Sequence, residues 1–292
     1  MKTLKKFQIY FFGLIIGSFL ISCTHDREEL IPIDNSDQIA YDKASAVVGS
    51  QLYNDFTVTP GFDGPKDPTV NIADITSYKD FYRCKQCHAW DLKARYGSYI
   101  NRGPKVGRPD ISKVKLNNLS LADITELFDK IKNTSGAPVN VTRTSDGTNP
   151  SLGGNNHPDY GTILTDAQIW DLVKFLREGA FNVDELFATN TTGTYPTGSV
   201  AFTNIGFDGN TTLGQTYFTN KCSSCHGADG NAINLGGYSV GEFVRKKPYE
   251  LQHKVVSGQV GTIMAPTPTS LEEIKGMLKL MANDPISFPD RQ

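Results

Sequence analysis

The chain has 292 residues, 38% hydrophobic and 21% charged, which leaves room for two small cores and excludes wholesale disorder. Its 29 lysines and arginines against 31 aspartates and glutamates give a formal charge of −2, which does not suit a nucleic-acid binder. A weakly acidic surface suits instead a partner with a basic docking face.

Residues 1–22 read as a leader. Lys2, Lys5 and Lys6 precede a mostly apolar run from Phe7 to Ile21, shorter than the about 20 residues that span a membrane. The run ends Leu20-Ile21-Ser22-Cys23, which resembles a bacterial lipobox. That resemblance implies a lipoprotein signal peptide, cleavage before Cys23 and lipidation of that cysteine; an ordinary secretory signal is the other reading. Cleavage removes three lysines and no acid, so the remaining chain is more acidic. Residues 23–39 are polar and read as a tether, with His25 not expected to bind anything. The expected location is extracytoplasmic, lipid-anchored to a bacterial membrane on its periplasmic or cell-surface side.

A first domain is expected over residues 40–186. Tyr41 to Asp55, with Ala44, Val47, Val48 and Leu52 apolar, predicts a helix, and Thr59 to Pro68 a loop. Phe81 and Tyr82 are ring-packing aromatics just ahead of Cys84-Lys85-Gln86-Cys87-His88. From 89 to 118 the chain is polar, with Trp90, Tyr96 and Tyr99 interleaved with Arg95 and Arg102. These side chains either wall a bound group and hold its acidic edge, or belong to a solvated loop. Ser120 to Asp123 resembles a capping box for a helix with Leu121, Ile124, Leu127, Phe128 and Ile131 inward. Residues 133–156 read as a long loop. A second capping box, Thr165 with Gln168, opens a helix whose apolar face is Ile169, Trp170, Leu172, Val173 and Leu176 and which stops at Gly179.

Residues 187–211 carry no helical period and read as a linker, with room for a short hairpin. The second domain, 212–285, has a helical approach from Thr212 to Lys221, leading into Cys222-Ser223-Ser224-Cys225-His226. Pro248 opens a helix that runs to about Ser257 and stops at Gly258. A third capping box, Ser270 with Glu273, starts a last helix with Leu271, Ile274, Leu278 and Met281 inward.

Cys-x-x-Cys-His, present twice, is the attachment signature of c-type haem. Two thiols add across the vinyl groups of the porphyrin, and the adjacent histidine supplies the proximal nitrogen to iron. The spacing follows from that chemistry: the sulfurs span one porphyrin edge and the imidazole must swing under the metal. Other uses of paired cysteines fit less well. A zinc ribbon sets its pairs about 15–20 residues apart, a thioredoxin-like pair needs one motif and no histidine, and a two-residue loop is a strained place for a disulfide. The expected cofactors are two covalently bound haem c groups, held by Cys84, Cys87 and His88 and by Cys222, Cys225 and His226.

The two halves share an order of parts: helix, Cys-x-x-Cys-His, loop, helix, a loop ending in a ligand candidate followed by proline, and a capped helix. This order resembles tandem class I cytochrome c domains over most of residues 40–284. The resemblance implies an all-α protein of two tandem cytochrome c-like helical domains with long loops, in which the distal iron ligand comes from the loop before the last helix. In the second half that ligand is Met264, the one methionine there off a helix; Met277 and Met281 sit on the last helix and read as core filler. His253, otherwise a solvent-facing residue, is the other candidate. The first half departs from the family in its long insertions and has no methionine at that place. Its slot is held by His157, the expected sixth ligand, with an open or water-bound iron, a lysine ligand, or a surface role for His157 as alternatives.

Methionine is a softer donor than imidazole and stabilises ferrous iron. A His88/His157 site would be the low-potential centre and a His226/Met264 site the high-potential one, with electrons running from the first to the second. The expected function is a relay or redox subunit that meets donor and acceptor proteins, with no catalytic residue. Di-haem peroxidases resemble the same layout with the first haem as active site, but they need acid–base residues above an open iron, and Glu126 is only one of several scattered acids. Thiosulfate dehydrogenases resemble it too, with a His/Cys active haem for which no cysteine remains once Cys23 is lipidated. A haem-based sensor is the remaining alternative.

Overall fold

Side-chain caps start six of the ten α-helices among the described residues. The computed structural model describes residues 35–70, 82–103, 111–133 and 157–292; the leader, Cys23, His25, Phe81 and nearly all of the 133–156 loop lie outside them. The run expected as one helix from Tyr41 to Asp55 is two, α1 (Ser36–Lys43) and α2 (Ala46–Asp55). Ser45 divides them. Its backbone is extended and its hydroxyl accepts from the Val48 N–H, as an N-cap does, while its own N–H donates to Asp171 at 2.6 Å. α1 therefore starts inside the stretch expected to be tether.

The first motif is the short helix α3 (Cys84–His88). The next, α4 (Ile124–Lys132), is capped by Asp123 accepting from Glu126 N–H. Ser120 is thus not the cap, and Leu121, expected on the inner face, is 96% exposed. Either residue can cap, and only Asp123 starts the helix where apolar spacing meets the core. α5 (Asp166–Lys174) has the expected capping box, both of whose bonds are present, and continues through a wider turn to Gly179.

Residues 187–211 hold a hairpin of β1 (Ala188–Thr192) and β2 (Ser199–Thr203), antiparallel with Ala188 opposite Thr203. The all-α expectation is corrected to a helical fold with a small two-stranded sheet. β-Branched threonines and valine favour the extended chain here, and β2 alternates exposed with half-buried positions.

Beyond the hairpin come α6 (Thr211–Lys221), α7 (Ser223–His226), α8 (Val240–Lys246), α9 (Pro248–Ser257) and α10 (Leu271–Asn283). Asn210 and Ser239 cap α6 and α8, Pro248 opens α9, and Ser270 with Glu273 forms the capping box of α10. Among the described residues no helix is long and apolar enough to cross a membrane.

Residues 36–292 form one compact unit with two principal cores. Tyr53, Phe56, Ile169 and Trp170 belong to the first; Phe218, Val244, Ile274, Met277 and Met281 to the second. Burying each such side chain contributes roughly 1.5–3 kcal/mol. In both halves a glycine lets the helix leading toward the motif cross the later capped helix. A Cβ on Gly214 of α6 would lie 2.2 Å from the Gly276 carbonyl carbon of α10, and one on Gly49 of α2 would lie 1.9 Å from the Asp171 oxygen of α5. Helix α9 joins the halves. Its Tyr249 packs against both cores, its Gln252 amide pairs with the Phe181 backbone at 2.9 and 3.0 Å, and its Ser257 carbonyl accepts from Gln51 at 3.2 Å.

Candidate functional site

At the second motif α6 ends on Cys222, and α7 turns His226 toward the same side. Cys222, His226 and Met264 line one cavity of about 350 Å³, walled by apolar side chains that include Phe218, Leu251 and Val255. The Met264 loop is laid back on the end of α9. Met264 C=O accepts from Gln259 N–H at 2.9 Å, and Thr267 N–H donates to Val255 C=O at 2.9 Å. Gly258 makes the turn at φ +69°, and a Cβ there would lie 2.4 Å from the Met264 oxygen. Met277 and Met281 are core residues, as expected, but they line the cavity as well. Burial keeps the His226 imidazole neutral by lowering its affinity for protons, and pushes the Cys222 thiol up to about 11.

His253 does not face solvent. It is 5% exposed, and its ring lies 3.7 Å from that of Trp90, near Tyr53 and Phe175 of the first core. It is absent from the lining of the cavity. α9 buries two faces: Leu251 and Val255, four apart, face their own core, while His253 faces the other. Apolar periodicity marks the first face only, so nothing in the sequence assigned His253 inward.

At the first motif Cys84 Sγ lies 4.0 Å from the Tyr160 hydroxyl, which donates to the Tyr82 carbonyl. Burial pushes the Cys84 thiol up to about 11. His88 is held down to about 3, chiefly by burial, with His157 adding to it. His157 packs edge-on against Tyr160 at 5.4 Å, and its carbonyl accepts from Asn133 at 2.6 Å. Its Nδ1 lies 3.1 Å from Pro158 C=O. A proton shared there leaves Nε2 as the nitrogen with a lone pair for a metal. Burial lowers His157 to about 4, which keeps that lone pair at ordinary pH.

The loop after the first motif divides. Trp90 and Tyr99 are buried, whereas Tyr96 is 47% exposed. Arg102 donates to Gln86 at 2.6 Å and lies over Tyr99; Arg95 donates to Ile111 C=O at 3.1 Å and lies over Tyr195. Both guanidinium groups are thus engaged with the chain itself.

These residues fit a haem. None of the four motif cysteines is in a disulfide, and among the described residues no three His, Cys, Asp or Glu side chains form a metal cluster of their own. His88 and His226 are held neutral by burial, the form of the imidazole that can bind a metal. The cavity at the second motif presents two of the required donors, His226 and Met264, beside a motif thiol.

The cytochrome c family model matches residues 76–180, which hold the first motif, His157 and α5. No curated protein and no solved structure matches the chain. Residues 76–180 are a cytochrome c domain, which carries covalently bound haem c. The protein is a haem-binding electron-transfer protein with a helical fold.

Proposed function

We propose that the chain is a di-haem relay of two tandem cytochrome c-like domains, tethered through lipidated Cys23 to the extracytoplasmic side of a bacterial membrane. It passes electrons from a low-potential first site to a high-potential second one, alone or as a redox subunit between a donor and an acceptor protein. The observation that carries this reading is the apolar cavity shared by Cys222, His226 and Met264. Bound haem would supply a one-electron couple at each site. Cys84 with Cys87 and Cys222 with Cys225 would fix the macrocycles, and His88 and His226 would each give a nitrogen to the iron. His157 and Met264 set the difference between the sites, since imidazole favours ferric iron and thioether ferrous iron. The apolar walls at the second site exclude water and so further favour the less charged, reduced state.

The test is a haem count by haemochrome absorbance, calibrated against protein mass, followed by cyanide or peroxide added with the second site reduced and the first still ferric. Two haems per chain and an unchanged first-site spectrum are expected. One haem per chain would remove the relay. Rapid cyanide binding, or peroxide consumed at the expense of the reduced site, would replace it with a peroxidase-type enzyme acting at the first site.

A further inference from the structure

Away from Cys222 and His226, the cavity at the second motif is apolar except where Lys247, Glu250 and Lys254 of the α9 region meet Gln259. These charges are unbalanced. Lys254 hydrogen-bonds the neutral Gln259 amide and lies 5.4 Å from the Trp90 ring centroid; Lys247 lies 5.1 Å from that of Tyr238. Neither forms an ion pair among the described residues. Across the junction Lys85 of the first motif lies 4.6 Å from the centroid of the same Trp90 ring, while Arg83 is already held by Asp55 at 3.4 Å and by the Asn54 carbonyl at 2.7 Å. His253, neutral through burial, completes the cluster. Glu250 is the one carboxylate lining the cavity, against Lys247 and Lys254, with Lys85 sharing the Trp90 ring with Lys254. Burial depresses both Lys85 and Lys254, and mutual repulsion among the cations adds to it.

A haem offers what this end of the cavity lacks: a flat apolar body with two carboxylates on one edge. We infer that Lys254, with Lys247 and Gln259, is the binding site for the propionate edge of the haem in the second cavity. The apolar lining takes the vinyl-bearing part of the ring beside Cys222, and the ammonium groups take the acidic edge. The inference rests on the proposed reading that the second motif holds a haem.

The experiment is a spectroelectrochemical titration of the second site in the haem-loaded full chain, repeated across pH, for wild type, Lys254→Met and Lys254→Arg. A cation beside a propionate favours its ionised form, so its removal should raise the pH of the propionate-linked step in the potential by on the order of one unit. Lys254→Met should also lower the potential at neutral pH, because a positive charge stabilises the reduced site. Lys254→Arg should keep both near wild type. A step at the same pH in wild type and Lys254→Met, with two haems present in each, would overturn this inference alone. A wild-type chain with a single haem would overturn both this inference and the relay.

Discussion

In the proposed relay Met264 and His157 set the two sites apart, and each is held by its own backbone surroundings. Met264→His should lower the potential of the second site by tenths of a volt, within the about 0.8 V that axial ligands command; a redox titration reads it. An unchanged potential would mean that Met277 or Met281, which line the same cavity, binds the iron instead. His253 makes a separate prediction. Its folded proton affinity lies well below the ordinary value of 6.5 because it is buried, so protons bind preferentially to the unfolded chain. Its contribution is present above pH 6.5 and is progressively lost as pH falls below it. Urea unfolding of the haem-loaded chain between pH 7 and 5 should show His253→Phe losing less stability than wild type; equal losses would refute the assignment. The motif histidines were legible because their spacing is dictated by chemistry. His253 was not, because its neighbours come from the other half of the chain.

The helices repeat one device, a glycine at the crossing between the helix leading toward the motif and the later capped helix. Gly214→Ala should destabilise the second half by about 1–3 kcal/mol, since backbone on both sides must move apart. The urea midpoint measures it, and a loss below about 0.5 kcal/mol would show that the helices separate freely. Ser270→Ala removes the hydroxyl cap of α10 and should cost about 1 kcal/mol. Caps such as Thr165 with Gln168 were readable because both partners lie within one turn. Ser120 and Asp123 misled because two capping residues stand one turn apart and only the core chooses. The glycine crossings gave no local signal at all: Gly49 and Gly214 are ordinary residues until the partner helix is known.

As a whole, the molecule has two cores bridged by α9, whose Tyr249, Gln252 and His253 all touch the first half. The haem-loaded chain should therefore unfold in one cooperative transition, with haem absorbance at both sites changing together. Two separated transitions in denaturant would show that the contacts along α9 do not couple the halves. The sequence order of parts suggested two bodies joined by a linker. The bridge escaped it because the hairpin after Phe187 is only a small piece of the junction, and the residues that close it lie much later, on α9.

The buried thiols also have a consequence for reactivity. Cys84 and Cys222 rise from an ordinary 9.0 to about 11 only once the walls around them have closed, and the thiolate is the reactive form of cysteine. Closure thus lowers the thiolate population at these two positions by roughly a hundredfold, two powers of ten for two pH units. Any chemistry that needs the thiolate at these two positions is therefore disfavoured once the walls have closed.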